Sequence, residues 1–130
     1  MSKYTSKTKE FLRETGWLEW TVERYIYAIQ KRIDLYNCID IIAICPQAGK
    51  TLGVQSCPAA GRSNHRETLI NSGLALAWVL SGNGLWLMDW RLSPKVRGGK
   101  QKVWTHNIEV YQKEDFAEKA WTEYKELDCN

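Results

Sequence analysis

Residues 38–45 read Cys-Ile-Asp-Ile-Ile-Ala-Ile-Cys, an apolar run broken only by Asp40. The run is too short for a buried helix and does not alternate, so it reads as a strand covered on both faces. Covering both faces of a strand takes helices packed on either side of a sheet, which points to an α/β fold. A chain of 130 residues has room for one such core, and 1–130 is read as a single domain.

The neighbouring patterns fill in the layers. Residues 8–15 predict a short helix with Phe11 and Leu12 inward, stopped by Gly16. From Leu18 the pattern alternates, with Leu18, Trp20 and Val22 apolar against Glu19, Thr21 and Glu23. This predicts a strand with its apolar face inward. Ile26, Ile29 and Ile33 also have helical spacing, so a helix over 17–33 is the competing reading. Residues 34–37 predict a turn, since Asn37 tolerates positive φ. Residues 46–50 turn the chain into a strand over 51–57. Asn64 and Glu67 have capping-box spacing and open a predicted helix over 64–81, closed by Gly82-Asn83-Gly84. Strands follow over 85–90 and 103–111. A last helix over 113–127 carries Phe116, Ala120, Trp121 and Tyr124 on one face. The expected order is α-β-β-β-α-β-β-α, a mixed sheet of about five strands flanked by helices.

The longest apolar stretch, residues 74–80, is far too short to span a bilayer. Residues 1–7 have no apolar run behind them, so no signal peptide is expected. A soluble, cytoplasmic protein without a membrane partner is the expectation. Cys38, Cys45, Cys57 and Cys129 lack C-x-x-C spacing, and His65 and His106 lie far from one another, so no zinc is expected. Ala48-Gly49-Lys50-Thr51 ends like a phosphate-binding loop. Ile44 stands where the first glycine belongs, and Pro46 interrupts it, so no phosphate cradle is expected.

The net charge of +3 is unevenly spread. Residues 41–108 hold eight basic and two acidic groups, while residues 109–130 hold three basic and seven acidic groups. A middle that positive, folded into one surface, attracts a polyanion. Residues 91–102 hold five basic groups (Arg91, Lys95, Arg97, Lys100 and Lys102), no acid, and Gly98-Gly99. They read as an arm that meets phosphates, so nucleic acid is the expected partner. Trp90 and Trp104 at its ends suit either base stacking or the core, and the core is the preferred reading.

Asp40 is the residue that carries chemistry. An ionised carboxylate inside an apolar strand is costly unless a metal or a hydrogen-bond donor compensates it. Gln55 lies on the next strand across a turn and is expected on the same face. With Glu23 and a strand carbonyl they would make an all-oxygen cage suited to Mg²⁺, with Mn²⁺ as the alternative. There the ion would activate water and neutralise charge on a phosphate.

Glu23-Arg24, Asp34-Leu35-Tyr36-Asn37-Cys38-Ile39-Asp40, Gly53-Val54-Gln55 and Arg66 ahead of an apolar helix together resemble the PD-(D/E)xK nuclease superfamily. The resemblance is to small phage and prokaryotic proteins related to archaeal Holliday-junction resolvases. Trp90-Arg91 and the Lys/Arg/Gly-rich stretch 97–104 extend it. It implies a restriction-endonuclease-like core and hydrolysis of phosphodiester bonds in DNA, with branched or otherwise structured DNA as a candidate substrate and a homodimer as a candidate assembly. By position, Asp40 matches the metal-binding Asp, Gln55 stands where the motif has an acid, and Cys57 stands where it has Lys. The implied catalytic set is Asp40, Gln55, Glu23 and Arg66, with Arg66, Lys50 or Lys102 as replacements for the missing cation. The alternative is a nucleic-acid-binding module of the same fold with a decayed site.

Overall fold

The computed structural model describes residues 2–127, and Cys129 lies outside the described residues. The elements run α1 (Lys3–Glu14), β1 (Leu18–Thr21), β2 (Arg24–Ile26), β3 (Lys31–Ile33), β4 (Ile41–Cys45) and β5 (Lys50–Pro58). A 3₁₀ turn (Ala59–Gly61) then leads into α2 (Arg62–Ile70), α3 (Gly73–Leu80), β6 (Gly84–Pro94) and β7 (Lys102–Val110). A second 3₁₀ turn (Lys113–Asp115) precedes α4 (Glu118–Glu126). Five strands form one mixed sheet in the order β1-β4-β5-β6-β7, and β2 pairs only with β3 in a separate hairpin. All neighbours in the main sheet are antiparallel except β5 and β6, which run parallel across the α2–α3 crossover. This is the expected mixed α/β architecture, with a hairpin inserted between the first two sheet strands.

The two faces have separate cores. On one, Leu12 of α1 packs with Ile41, Ala43, Leu52, Val54, Met88 and Trp90. On the other, Leu69, Leu76 and Ala120 from the later helices cover Ile39, Cys57, Leu85 and Leu87. A polar group seats α1: Thr8 Oγ1 takes hydrogen bonds from Ser56 Oγ at 2.8 Å and Trp90 Nε1 at 2.9 Å. Both are buried, so each donor is satisfied where water cannot reach it. No helix among the described residues is long and apolar enough to cross a membrane.

Several expectations need correction. β1 is a strand, but its faces are reversed: Leu18 is 61% and Trp20 75% exposed. Glu19 points toward α1 instead, where Arg13 Nε donates to it at 3.2 Å and Lys9 Nζ stands 3.7 Å away. An edge strand can invert its apolar face when the opposite face finds charge partners. The competing helix over 17–33 is absent, because residues 24–33 form the β2–β3 hairpin. Of the run 38–45, only Ile41–Cys45 is strand.

The helix expected over 64–81 is two helices. It begins at Arg62, straight out of the 3₁₀ turn, so Asn64 does not cap it. It breaks at Asn71-Ser72, where Ser72 accepts from Ala75 N and starts α3. Gly73 explains the break: a Cβ there would stand 2.6 Å from Glu123 Cβ and 2.8 Å from Tyr124 N, so α3 and α4 meet backbone to backbone. The last helix is shorter than 113–127, since Phe116 is extended between the 3₁₀ turn and α4.

Candidate functional site

At one end of the sheet three chain segments are tied to a single residue. The amide of Asp40 donates to Val54 O at 2.9 Å, and its carbonyl accepts from both Val22 N at 2.9 Å and Glu23 N at 3.1 Å. Two donors on one carbonyl end the β1–β4 ladder in a bulge-like step, which leaves Glu23 beside Asp40. Extending the pairing Ile41↔Val54 by one residue sets Asp40 opposite Gln55. The Asp40 carboxylate accepts from Ser56 N at 2.8 Å. On the α1 side, Thr5 Oγ1 donates to Glu23 Oε2 at 3.5 Å.

A tight turn adds a third acid. Leu35 and Ile39 exchange backbone hydrogen bonds at 2.9 and 3.0 Å around Tyr36 and Asn37, whose φ values are +56° and +59°. Left-handed backbone suits Asn but strains Tyr. The turn places Asp34 and Asp40 on either side of the Leu35–Ile39 bridge, so both acids reach the same cavity.

That cavity, of about 280 Å³, is lined by Glu23, Asp34, Asp40 and Gln55, with Ser2, which caps α1, Tyr4 of α1 and His65 of α2 at its walls. Asp40 and Gln55 are each only 6% exposed. The Asp40 carboxyl is raised from 3.8 to about 7, first by burial and then by the charges of Glu23 and Asp34, against the lowering effect of the Ser56 N–H. Asp34 is raised as well, mainly by burial, with hydrogen bonds to its own backbone and to Asp40 opposing. Burial and the neighbouring carboxylates together disfavour the ionised form of Asp40.

Gln55 Oε1 is buried with no hydrogen-bond partner among the described residues. Three carboxylates and an unpartnered amide oxygen are the donor chemistry of a hard divalent cation, so the residues fit Mg²⁺ or Mn²⁺. Among the described residues no three His, Cys, Asp or Glu side chains stand as a ready-made ligand set. Gathering them around an ion would take side-chain movement.

The structure thus brings Glu23, Asp40 and Gln55 together and adds Asp34 and His65, neither singled out as a site residue from sequence. The cue for Asp34 was its spacing to Asp40 around an Asn that accepts a left-handed backbone. His65 left no sequence cue, because only the crossover of α2 brings it to the cavity.

Arg66 does not line the cavity. Its guanidinium forks onto both carboxylate oxygens of Glu109 on β7, Nε reaching Oε1 at 3.1 Å, and Tyr111 Oη also donates to Oε1. Cys57, at the position where a lysine was expected, is buried in the core, and its thiol is pushed up to about 12, first by burial and then by the nearby acids. It supplies no cation. Lys50 is no substitute, since it pairs with Cys45 at the other end of β5.

The basic arm is the β6–β7 hairpin. Lys95, Arg97 and Lys100 lie in its exposed turn, Lys102 pairs with Pro94 at its base, and Arg91 lies on β6. The tryptophans belong to the fold: Trp90 is buried, and Trp104 is covered by Lys7 Nζ at 4.6 Å and Lys3 Nζ at 5.5 Å from its centroid. Compared with protein-family models, curated proteins and solved structures, the chain matches none.

Proposed function

We propose that this protein is a Mg²⁺-dependent nuclease acting on DNA, with the cavity of Glu23, Asp34, Asp40 and Gln55 as its active site. One observation carries the reading: three acids surround the buried, unpartnered Oε1 of Gln55 at the end of a mixed sheet. A chain gains no stability from that arrangement, which suggests a functional reason for keeping it. The five-stranded mixed sheet between helices supports a restriction-endonuclease-like core, as the PD-(D/E)xK resemblance implies.

When bound, the divalent ion supplies charge neutralisation at a phosphate and activation of water. The chain's own part is to hold the acids. The Ser56 N–H fixes the Asp40 carboxylate, and Thr5 of α1 steadies Glu23. Asp40, whose ionised form burial disfavours, would be held as a carboxylate by a bound cation. His65 at the wall places an imidazole that can carry a proton. The arm (Lys95, Arg97, Lys100 and Lys102) supplies phosphate contacts that hold the strand irrespective of sequence.

A second reading, a DNA-binding module with a decayed site, has one observation in its favour. Among the described residues, no Lys or Arg lines the acidic cavity, and Cys57 is buried. Branched and linear DNA, each incubated with Mg²⁺, Mn²⁺ or chelator, separates the two. A nuclease cleaves only with metal, and Asp40→Ala abolishes cleavage while retaining or strengthening DNA binding. Binding without cleavage under every metal condition supports the decayed module. Absence of binding overturns both readings.

A further inference from the structure

A second cavity, of about 460 Å³, meets the chain where the Ala59–Gly61 turn leaves the acidic one. Pro58 lines the acidic cavity, and the next two residues, Ala59 and Ala60, line this one. Its polar groups come from three elements: Arg62 at the start of α2, Asp89 and Arg91 on β6, and Thr105 and Asn107 on β7, with His106 between these two. The register Asp89↔Asn107 and Arg91↔Thr105 puts the four strand residues side by side.

Asp89 is almost fully buried, and its Oδ2 accepts from Asn107 Nδ2 at 3.1 Å and faces Arg62 Nη1 at 3.5 Å. The carboxylate is thereby occupied as an anchor that holds the Arg62 fork over the cavity. Arg91 is exposed and has no ion-pair partner among the described residues. Two guanidiniums against one neutralised acid leave the cavity with a net positive charge. Hydroxyl and amide groups from Thr105 and Asn107 add capacity for hydrogen bonding. That inventory suits a tetrahedral anion with several acceptor oxygens, since guanidinium forks match phosphate geometry.

We infer that this cavity is a phosphate-binding subsite, which takes a phosphodiester of the nucleic-acid strand beside the one presented to Asp40. The inference rests on the nucleic-acid reading above and gives it a direction. The strand crosses the Ala59–Gly61 turn with one phosphate at the acids and a neighbouring phosphate between Arg62 and Arg91. A subsite of this kind offsets the repulsion that three carboxylates exert on the scissile phosphate.

The test uses the full chain in chelator, so that nothing is cleaved, and a DNA strand only long enough to span the two cavities, so that it cannot slide, in which one phosphate at a time is replaced by uncharged methylphosphonate. For the wild type, neutralisation at one position should weaken binding about tenfold, and at the other positions less. In Arg91→Ala, whose side chain is exposed and leaves folding untouched, the penalty at that position should fall to near onefold. Arg97→Ala, on the arm, should lower overall affinity but keep the position-specific penalty. A penalty that persists in Arg91→Ala, or a flat profile in the wild type, overturns the subsite while leaving the nuclease reading standing. Arg91-dependent binding of inorganic phosphate that is tighter than binding of the strand would assign the cavity to a free anion and overturn the inference too. Loss of all DNA binding in the wild type overturns the nucleic-acid reading itself.

Discussion

Asp40→Asn should make the protein more stable, and by an amount that depends on pH. The amide keeps an oxygen for the Ser56 N–H and removes the charge that burial, Glu23 and Asp34 oppose. The wild-type carboxyl is raised from 3.8 to about 7. Each unit is worth about 1.4 kcal/mol, so full ionisation weakens the fold by up to ~4 kcal/mol. Side-chain relaxation and proton sharing with Asp34 and Glu23 bring the expected gain of the variant to about 2 kcal/mol. Between the ordinary carboxylate pKa and about 7, native Asp40 keeps a proton that the unfolded chain has released. Wild-type stability therefore falls as pH rises through that window, and the variant escapes the fall. Urea unfolding at pH 5 and pH 8 measures it. The variant should gain roughly 2 kcal/mol at pH 8, or a melting shift of roughly 5–10 °C for a chain of this size, and roughly 0.8 kcal/mol at pH 5, where the unfolded chain has already released the proton. Millimolar Mg²⁺ at pH 8 should narrow the gap by stabilising only the wild type. An equal gain at both pH values would refute the charge-based explanation.

Gly73→Ala should destabilise by about 1–3 kcal/mol, read from the urea midpoint, because its methyl group meets the α4 backbone. Trp90→Phe should lose the hydrogen bond to Thr8 and cost about 1 kcal/mol by the same assay. Neutralising Arg97, Lys100 and Lys102 together should weaken binding to all DNA sequences alike. It should also flatten the log–log salt dependence by roughly 0.7–0.9 for each phosphate no longer neutralised, and unchanged affinity and slope would make the arm a solvated loop. Arg66→Met should leave any cleavage rate unaltered, since Glu109 and not the acidic cavity holds that guanidinium.

The sequence by itself determined the layered fold. An apolar run broken only by Asp40 needs cover on both faces, and local turn and helix signals supply the elements for it, although at the end of β4 Ile44 is left 41% exposed. It also fixed the pairing of Asp40 with Gln55, because neighbouring strands joined by a short turn hold a side chain's face by parity alone. Tertiary structure decided everything that parity does not reach. The face of β1 was reversed because Arg13 and Lys9 of α1 claim Glu19. The helix over 64–81 was broken by the close approach of α4 to Gly73, a contact between segments fifty residues apart. The fates of Arg66 and Cys57, one taken by Glu109 and the other by the core, depended on partners from β7 and the later helices. Asp34 joined the acidic cavity only because Tyr36 and Asn37 adopt a left-handed backbone that turns the chain back on itself. Local propensity acts over a few residues, whereas a cavity is assembled from side chains that only the packed sheet and its crossover bring within reach of one another.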